Sequence, residues 1–206
     1  MLTAYLRVVF ARYLTPLAAT LARLGFTPDA ITVVGTVGAT AGAVVLFTQG
    51  LWFAGTMVVW GFVMLDMVDG AVARIVGPSK FGAVLDSTCD RIVDAAIFAA
   101  IAWYYAFNTH PAQRAMVLAC LICLVLGALT SYIRARAEGV GFTCNVGIAE
   151  RTERLIIVLV GTFLNGSPLN LPYALAIALW LLVAASAITV VQRLATVYKQ
   201  AQQREA

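Results

Sequence analysis

Long apolar stretches, separated by short polar turns, dominate this chain of 206 residues. Several of them exceed the roughly 18 consecutive apolar residues that indicate a helix crossing a lipid bilayer. Hydrophobic residues make up 62% of the chain and charged residues 12%, whereas soluble domains carry roughly 25% charged residues. This composition excludes a disordered chain, a soluble globule and a nucleic-acid-binding protein with a basic surface. The sequence therefore predicts an all-α integral membrane protein, with a single domain over residues 1–206.

Turns rich in Gly, Pro and Asn divide the apolar stretches into six predicted transmembrane helices. The first has a clear start signal, because Thr27 can cap it, Pro28 suits its first turn and Asp29 favours its positive end. Before it, residues 1–26 mix apolar residues with arginines and predict an amphipathic juxtamembrane helix on the membrane surface. The six spans form a core of residues 28–199 and are predicted at about 28–48, 51–74, 82–107, 108–138, 150–164 and 172–198.

Basic residues near the ends of the spans fall on one side of this six-span topology. With a cytoplasmic N-terminus, only Arg114 lies at the opposite face. Such a bias predicts orientation, because cytoplasmic loops carry the excess of Lys and Arg. We therefore expect a multi-pass protein of the cell (inner, or plasma) membrane, with both termini and the active site in the cytoplasm.

Acidic residues inside two of these spans indicate the kind of functional site that the chain forms. An ionised carboxylate inside a bilayer costs at least about 2.5 kcal/mol and is usually functional. Asp66 and Asp69 are spaced i, i+3 on the second span, and Asp86 and Asp90 are spaced i, i+4 on the third. Each pair shares one helix face, and the short link between the spans makes the two helices antiparallel neighbours. Four carboxylates at one site repel one another and must be neutralised by protons or by cations. All-oxygen ligands suit two Mg²⁺ or Mn²⁺ ions, an arrangement suited to phosphoryl transfer.

The residues around these acids resemble the signature of the CDP-alcohol phosphotransferase family. That signature is D-x2-D-G-x2-A-R, a spacer, and then G-x3-D-x3-D. All eight fixed positions are present, with a seven-residue spacer, as Asp66, Asp69, Gly70, Ala73, Arg74, Gly82, Asp86 and Asp90. Members of the family transfer a phosphatidyl group from CDP-diacylglycerol to an alcohol and release CMP, so the resemblance implies this reaction.

The resemblance also implies roles for individual residues. Two divalent cations, Mg²⁺ or alternatively Mn²⁺, would be held by Asp66, Asp69, Asp86 and Asp90. Asp90 would also act as the general base. CDP-diacylglycerol would be bound by Asp29, Thr32, Asp69, Gly70, Ala73, Arg74 and Ser79. The family implies a homodimer. Asp94 continues the acidic stripe of the third span but lies outside the signature, and we assign it no catalytic role.

Arginines at the cytoplasmic ends of the last three spans indicate the acceptor alcohol. Guanidinium groups bind phosphate through charge-assisted, bidentate hydrogen bonds, which favours a phosphorylated acceptor over free inositol or serine. Positive-inside charge and anionic lipid headgroups are the alternative explanation for some of them. Residues 131–138, 150–155 and 191–194 resemble those of the family's bacterial phosphatidylinositol-phosphate synthases. This resemblance implies that the phosphate of myo-inositol phosphate is bound by Ser131, Arg134, Arg154 and Arg193.

Two other functions are compatible with parts of the pattern. A phosphatidylglycerophosphate synthase would use glycerol 3-phosphate and would need a similar cationic pocket. A divalent-cation transporter would place its acids near the bilayer centre, whereas these acids are predicted near one surface. We expect membrane lipids as partners and no nucleic acid.

Overall fold

Six helices, α1 to α6, follow one another between Pro28 and Glu205 in the computed structural model of this chain. The structure describes residue 16, residues 18–166 and residues 168–205, with the side chains of Asp66 and Glu205 outside that description. The helices are α1 Pro28–Gly42, α2 Trp52–Val76, α3 Lys80–Phe107, α4 Arg114–Gly139, α5 Arg151–Asn165 and α6 Ala174–Glu205. A π-helical turn over Ala43–Phe47 extends α1. No strand occurs among these described residues, so the all-α prediction is confirmed for them.

Local signals set several of the helix ends. The hydroxyl of Thr27 accepts a hydrogen bond from the Ala30 N–H at 3.2 Å, and Pro28 occupies the first turn, as predicted for the start of α1. The fourth helix begins at Arg114, later than the predicted residue 108. The delay follows from Pro111, which disfavours helical geometry in the residue before it.

Four of the six helices are long and apolar enough to cross a membrane. Within the described part of the chain these segments are Pro28–Phe47, Trp52–Val76, Arg114–Gly139 and Ala174–Arg204. The helix α3 differs because it carries charges between its start and its middle, at Lys80, Asp86, Asp90, Arg91 and Asp94. The helix α5 has 15 residues and is therefore about 22 Å long, against about 30 Å for a bilayer core. The six-span count stays a prediction.

The amphipathic juxtamembrane helix predicted for residues 1–26 falls largely outside the described residues. Within that range, residues 18–23 are helical. Ala18 is fully buried and belongs to an apolar cluster with Ile31, Val68, Ala71 and Val72. These contacts attach the described helical stretch to α1 and α2.

The chain forms two compact units. The first combines Met1–Ala43 with Met57–Val93, and the second combines Val44–Thr56 with Asp94–Ala206. The helix α3 contributes its N-terminal half to the first unit and its C-terminal half to the second. All four predicted metal ligands therefore belong to the first unit, and the predicted acceptor-binding residues belong to the second.

Glycines allow α1 to pack closely against α2 within the first unit. A Cβ atom built on Gly38 would lie 2.3 Å from the Phe62 ring, and one built on Gly42 would lie 2.6 Å from Val58. Small residues are typical where transmembrane helices approach closely, because packing rather than water exclusion drives their association. The ring of Phe62 therefore fills the space that Gly38 leaves.

We expect Gly38→Ala to lower the stability of the protein by about 1–3 kcal/mol, because the added methyl group overpacks the contact with Phe62. The measurement is thermal unfolding in detergent. The matched control is Gly61→Ala on α2, where a Cβ would meet nothing within 4 Å. Its stability should be unchanged or rise by up to about 1 kcal/mol, because Ala favours helix over Gly. Equal effects of the two variants would contradict the packing explanation.

The second unit is held together by α6, which packs against both α4 and α5. On the α5 side, Gly161 approaches Ala178 so closely that an added Cβ would lie 2.7 Å from the alanine methyl group. Thr56 and Thr162 share a buried hydrogen bond of 2.7 Å. The carboxyl-terminal half of α6 also carries the polar residues that contact the loop between α4 and α5.

Candidate active site

The acidic signature occupies the C-terminal half of α2 and the N-terminal half of α3. Asp66 lies on α2, but its side chain is outside the described part of the structure. Asp69 is buried, with 6% of its surface exposed, and one of its carboxylate oxygens accepts a hydrogen bond from the hydroxyl of Thr32 on α1. Asp86 and Asp90 are half-buried on α3. The structure thus brings together Thr32 and Asp69, which the sequence assigned to the same substrate.

Around the link between α2 and α3, three further predicted residues converge. Ser79 accepts a hydrogen bond from the Gly82 N–H at 2.8 Å and so stabilises the first turn of α3. A Cβ built on Gly82 would lie 2.9 Å from both the Ser79 hydroxyl and a carboxylate oxygen of Asp29. The absence of a side chain at Gly82 therefore leaves room for the polar groups of both Asp29 and Ser79 at this point.

The backbone at Gly70 is open on its outer side. A Cβ built on Gly70 would meet nothing within 4 Å, so none of the described residues occupies that space. Arg74, one turn further along α2, is exposed, and its Nε donates to the Gly70 carbonyl at 3.1 Å. Ala73 beside it is half-buried. A ligand can approach the backbone at this exposed edge of α2. The guanidinium of Arg74 lies close enough to the same edge to bind a phosphate of that ligand.

The carboxylate oxygens of the acidic signature are suitable ligands for a hard divalent cation. Carboxylate oxygens are the ligands that Mg²⁺ and Mn²⁺ prefer. The hydrogen bond from Thr32 fixes the orientation of the Asp69 carboxylate, as outer-shell partners do at metal sites. Among the described side chains, which leave out Asp66, no three His, Cys, Asp or Glu groups are close enough together to hold a metal. The four-carboxylate site, which needs Asp66, stays a prediction.

In the second unit, Arg154 lies at the centre of a buried polar network. The residue is 2% exposed, and its guanidinium donates to Asp94 on α3 at 3.0 Å and to the Thr130 hydroxyl on α4 at 3.0 Å. It also donates to the Ala149 carbonyl at 3.4 Å. A buried charge is tolerated only when it is paired and hydrogen-bonded, and Asp94 supplies that pairing. Asp94, to which the sequence gave no role, thus holds a residue predicted to bind the acceptor.

Arg193 on α6 joins the same network from the other side. It is 4% exposed, its Nη1 donates to the Thr130 carbonyl and its Nε donates to the Val146 carbonyl at 2.9 Å. Its Nη2 lies 3.4 Å from a carboxylate oxygen of Glu150. Thr130 therefore contacts both guanidinium groups, one through its hydroxyl and one through its carbonyl.

Two of the predicted acceptor-binding residues lie on α4 and have partners on their own helix. Ser131 is half-buried and its hydroxyl donates to the Gly127 carbonyl at 3.2 Å. Arg134 is exposed and pairs with Glu138 at 3.0 Å, one turn further on. The sequence missed Thr130, although it directly precedes Ser131. It also missed Asp94, for which the regular spacing of Asp86, Asp90 and Asp94 along α3 was the available signal.

The arginine network still has hydrogen-bonding capacity for a ligand. A guanidinium carries five N–H donors. The Nε of Arg154 is buried and has no hydrogen-bond partner among the described residues. Buried donors are nearly always satisfied, so an unused N–H in a cationic cluster indicates a site for an anion or for bound water.

Comparison with known proteins places the chain in a family. A family model described as CDP-alcohol phosphatidyltransferase matches residues 26–195. The phosphatidylinositol phosphate synthase of Mycobacterium tuberculosis is 52% identical over 194 residues, which cover 93% of this chain and 88% of that protein.

Solved structures of that enzyme have the same fold. Its crystal structure with CDP-DAG bound superposes with a TM-score of 0.87 at 52% identity, covering 91% of this chain and 94% of that chain. Its complex with manganese and citrate gives a TM-score of 0.86 at 51% identity, covering 90% of this chain and 88% of that chain. The family resemblance inferred from the acidic signature is confirmed, and the chain belongs to the CDP-alcohol phosphatidyltransferase family.

Proposed function

We propose that this protein transfers the phosphatidyl group of CDP-diacylglycerol to myo-inositol phosphate, giving phosphatidylinositol phosphate and CMP. The observation that carries the choice of acceptor is the buried pair of guanidinium groups, Arg154 and Arg193, joined through Thr130. Buried arginines favour a phosphorylated acceptor, because they pair with phosphate through directed, charge-assisted hydrogen bonds. The similarity to phosphatidylinositol phosphate synthases over 93% of the chain supports the same acceptor.

The acidic signature would supply the reaction centre. Two divalent cations would be held by Asp66, Asp69, Asp86 and Asp90. When bound, Mg²⁺ or Mn²⁺ would provide positive charge for the diphosphate and for the departing CMP. Asp90 would accept the proton of the acceptor hydroxyl as its oxygen attacks the lipid-linked phosphorus and the bond from that phosphorus to CMP breaks.

The nucleotide-lipid would bind along the open edge of α2 and the start of α3. The missing side chain at Gly70, with small Ala73 nearby, lets the ligand approach the backbone, and Arg74 can pair with a phosphate. Thr32 would orient the Asp69 carboxylate. Asp29 and Ser79, whose side-chain oxygens both lie next to Gly82, would offer oxygen groups to the cytidine or its ribose.

The acceptor phosphate would be bound by Ser131, Arg134, Arg154 and Arg193. Arg134 is exposed and could exchange its pairing with Glu138 for a phosphate at little cost, because surface ion pairs contribute about 0–1 kcal/mol. Arg154 and Arg193 are fixed, so they would provide a preorganised charge that requires little rearrangement on binding.

We also propose the arrangement in the membrane. Six spans within residues 28–199 would place both termini and the active site on the cytoplasmic side of the cell membrane, in accordance with the positive-inside rule. The N-terminal residues 1–26 would lie on the membrane surface as an amphipathic helix. The working unit would be a homodimer, and its mass in native-like lipid is the measurement that tests this.

The function is tested by CMP release from purified protein in lipid with CDP-diacylglycerol and Mg²⁺. Myo-inositol 3-phosphate, glycerol 3-phosphate and free inositol are offered separately. We expect release with inositol phosphate, at least about tenfold slower release with either other acceptor, and loss of release on chelation that Mg²⁺ or Mn²⁺ restores. Release with glycerol 3-phosphate alone would overturn the acceptor assignment, and release that survives chelation would overturn the two-metal mechanism.

A further inference from the structure

One face of α6 holds the whole loop between α4 and α5. Its polar side chains, spaced 4, 7 and 4 residues apart, lie within a narrow sector of the helix surface. They contact successive parts of residues 141–149, and they are Thr189, Arg193, Gln200 and Arg204. The loop runs antiparallel to α6, since its first residues meet the end of the helix and its last residues meet Thr189. We call this set of contacts the loop clamp.

The far end of the loop clamp is formed by the last turns of α6. Gln200 accepts from the Thr143 N–H at 3.0 Å and donates to the Thr143 carbonyl at 2.6 Å, as a neighbouring β-strand would. Arg204 donates to the Gly141 carbonyl and lies 4.6 Å from the centre of the Phe142 ring. These contacts explain why α6 continues to Glu205, beyond the predicted end of the span near residue 198.

The near end of the loop clamp is buried. The Thr189 hydroxyl accepts from the Ile148 N–H at 3.2 Å and from the Ala149 N–H at 3.0 Å, and Thr189 is fully buried. Gly147 has a φ of +144°, and a Cβ built on it would lie 2.5 Å from the Thr189 methyl group. The loop can therefore reach Thr189 only because residue 147 is glycine, both for its backbone conformation and for the space.

A short path of contacts connects Thr189 to Arg154. Ala149 donates a hydrogen bond to the Thr189 hydroxyl through its N–H. Its carbonyl accepts a hydrogen bond from the Arg154 guanidinium at 3.4 Å. Glu150 follows at once, and α5 begins at Arg151, so the position of Ala149 sets where the first turn of α5 starts. One hydroxyl thus fixes both the backbone that leads into α5 and a carbonyl that holds the guanidinium.

We propose that Thr189 is a positioning residue for the acceptor phosphate, acting through Ala149 and Arg154, with Gln200 securing the far end of the same loop. The proposal rests on the proposed function, because Arg154 is taken to bind that phosphate. Loss of the Thr189 hydroxyl removes the hydrogen-bond acceptor of the Ile148 and Ala149 N–H groups, of which the Ala149 bond is buried, and lets the start of α5 move. A shift of this kind weakens binding of the acceptor and spares binding of CDP-diacylglycerol.

The test compares Thr189→Val, which keeps the shape and removes the hydroxyl, with Thr189→Ser, which keeps the hydroxyl. We expect the valine variant to raise the KM for myo-inositol 3-phosphate about tenfold and to change the KM for CDP-diacylglycerol less than about twofold. The serine variant should stay near the wild-type values. The control is Thr196→Val on the same helix, whose hydroxyl donates only to the Gln192 carbonyl of α6. Its two KM values should not change.

A second variant keeps the test decisive should Thr189→Val fail to fold. Gln200→Ala lies near the exposed end of α6 and should raise the KM for myo-inositol 3-phosphate about two- to fivefold. Equal changes in both KM values, or an unchanged acceptor KM in the folded valine or alanine variant, would overturn the proposal. Absence of CMP release with inositol phosphate in the wild-type protein would instead contradict the proposed function itself.

Discussion

Replacement of Asp90 by asparagine is expected to reduce CMP release by about 10³-fold while CDP-diacylglycerol still binds. Asparagine has nearly the same shape as aspartate, but its amide cannot accept the proton of the acceptor hydroxyl. The other three signature carboxylates would still hold at least one cation beside the diphosphate. Turnover is measured as CMP release, and binding as the rise in melting temperature that CDP-diacylglycerol causes in detergent.

The matched control for this change is Glu153→Gln, on the first turn of α5. Glu153 is an exposed carboxylate outside the signature, so its conversion to an amide should leave turnover within about twofold of wild type. Wild-type turnover in Asp90→Asn would remove Asp90 as the general base. Loss of CDP-diacylglycerol binding together with turnover would instead indicate that Asp90 acts chiefly as a metal ligand.

Replacement of Arg154 by alanine is expected to have the second-largest effect. It should raise the KM for myo-inositol 3-phosphate by up to about 100-fold, because a charge-assisted hydrogen bond to the phosphate is lost. It should also lower stability by about 3–5 kcal/mol, because the variant breaks the buried ion pair that Arg154 forms with the Asp94 carboxylate at 3.0 Å. Steady-state kinetics and thermal unfolding measure the two effects separately.

Two further variants separate binding from stability at this position. Arg154→Lys keeps a positive charge for Asp94, so it should fold and still raise the acceptor KM about tenfold, because an ammonium lacks the planar fork. Arg136→Ala removes an exposed arginine from the same end of α4 as Arg134 and should change neither KM by more than about twofold. An equal rise in the KM values for acceptor and nucleotide-lipid in Arg154→Lys would argue against a dedicated acceptor pocket.

The parts of the fold that depend on residues close together in the sequence could be predicted from it. The Thr27 cap with Pro28 in the first turn set the start of α1, and the fifth span, predicted at about 150–164, corresponds to Arg151–Asn165. The fixed spacing of the acids identified the family, because the signature is local to two consecutive helices. Thr32, which the family resemblance assigned to CDP-diacylglycerol, donates a hydrogen bond to Asp69, and its role in binding stays a prediction.

Contacts between distant parts of the chain could not be predicted in this way. Asp94 and Arg154 are 60 positions apart, and Gln200 and Thr143 are 57 apart, so no local pattern records either contact. The spacing of acids on α3 marked Asp94 as unusual but did not identify its partner. Likewise the family resemblance named Ser131, whereas Thr130 beside it contacts the two guanidinium groups because helix α4 presents that side to α5 and α6.

The central claim, a phosphatidyl transfer to a phosphorylated inositol, is tested most directly by competition in a single reaction. Equal concentrations of myo-inositol 3-phosphate and glycerol 3-phosphate are offered with CDP-diacylglycerol and Mg²⁺, and the lipid products are quantified by mass spectrometry. The product ratio then equals the ratio of the two kcat/KM values. We predict phosphatidylinositol phosphate in at least about 100-fold excess. An excess of phosphatidylglycerophosphate, or no phosphatidyl product from folded protein, would contradict the account.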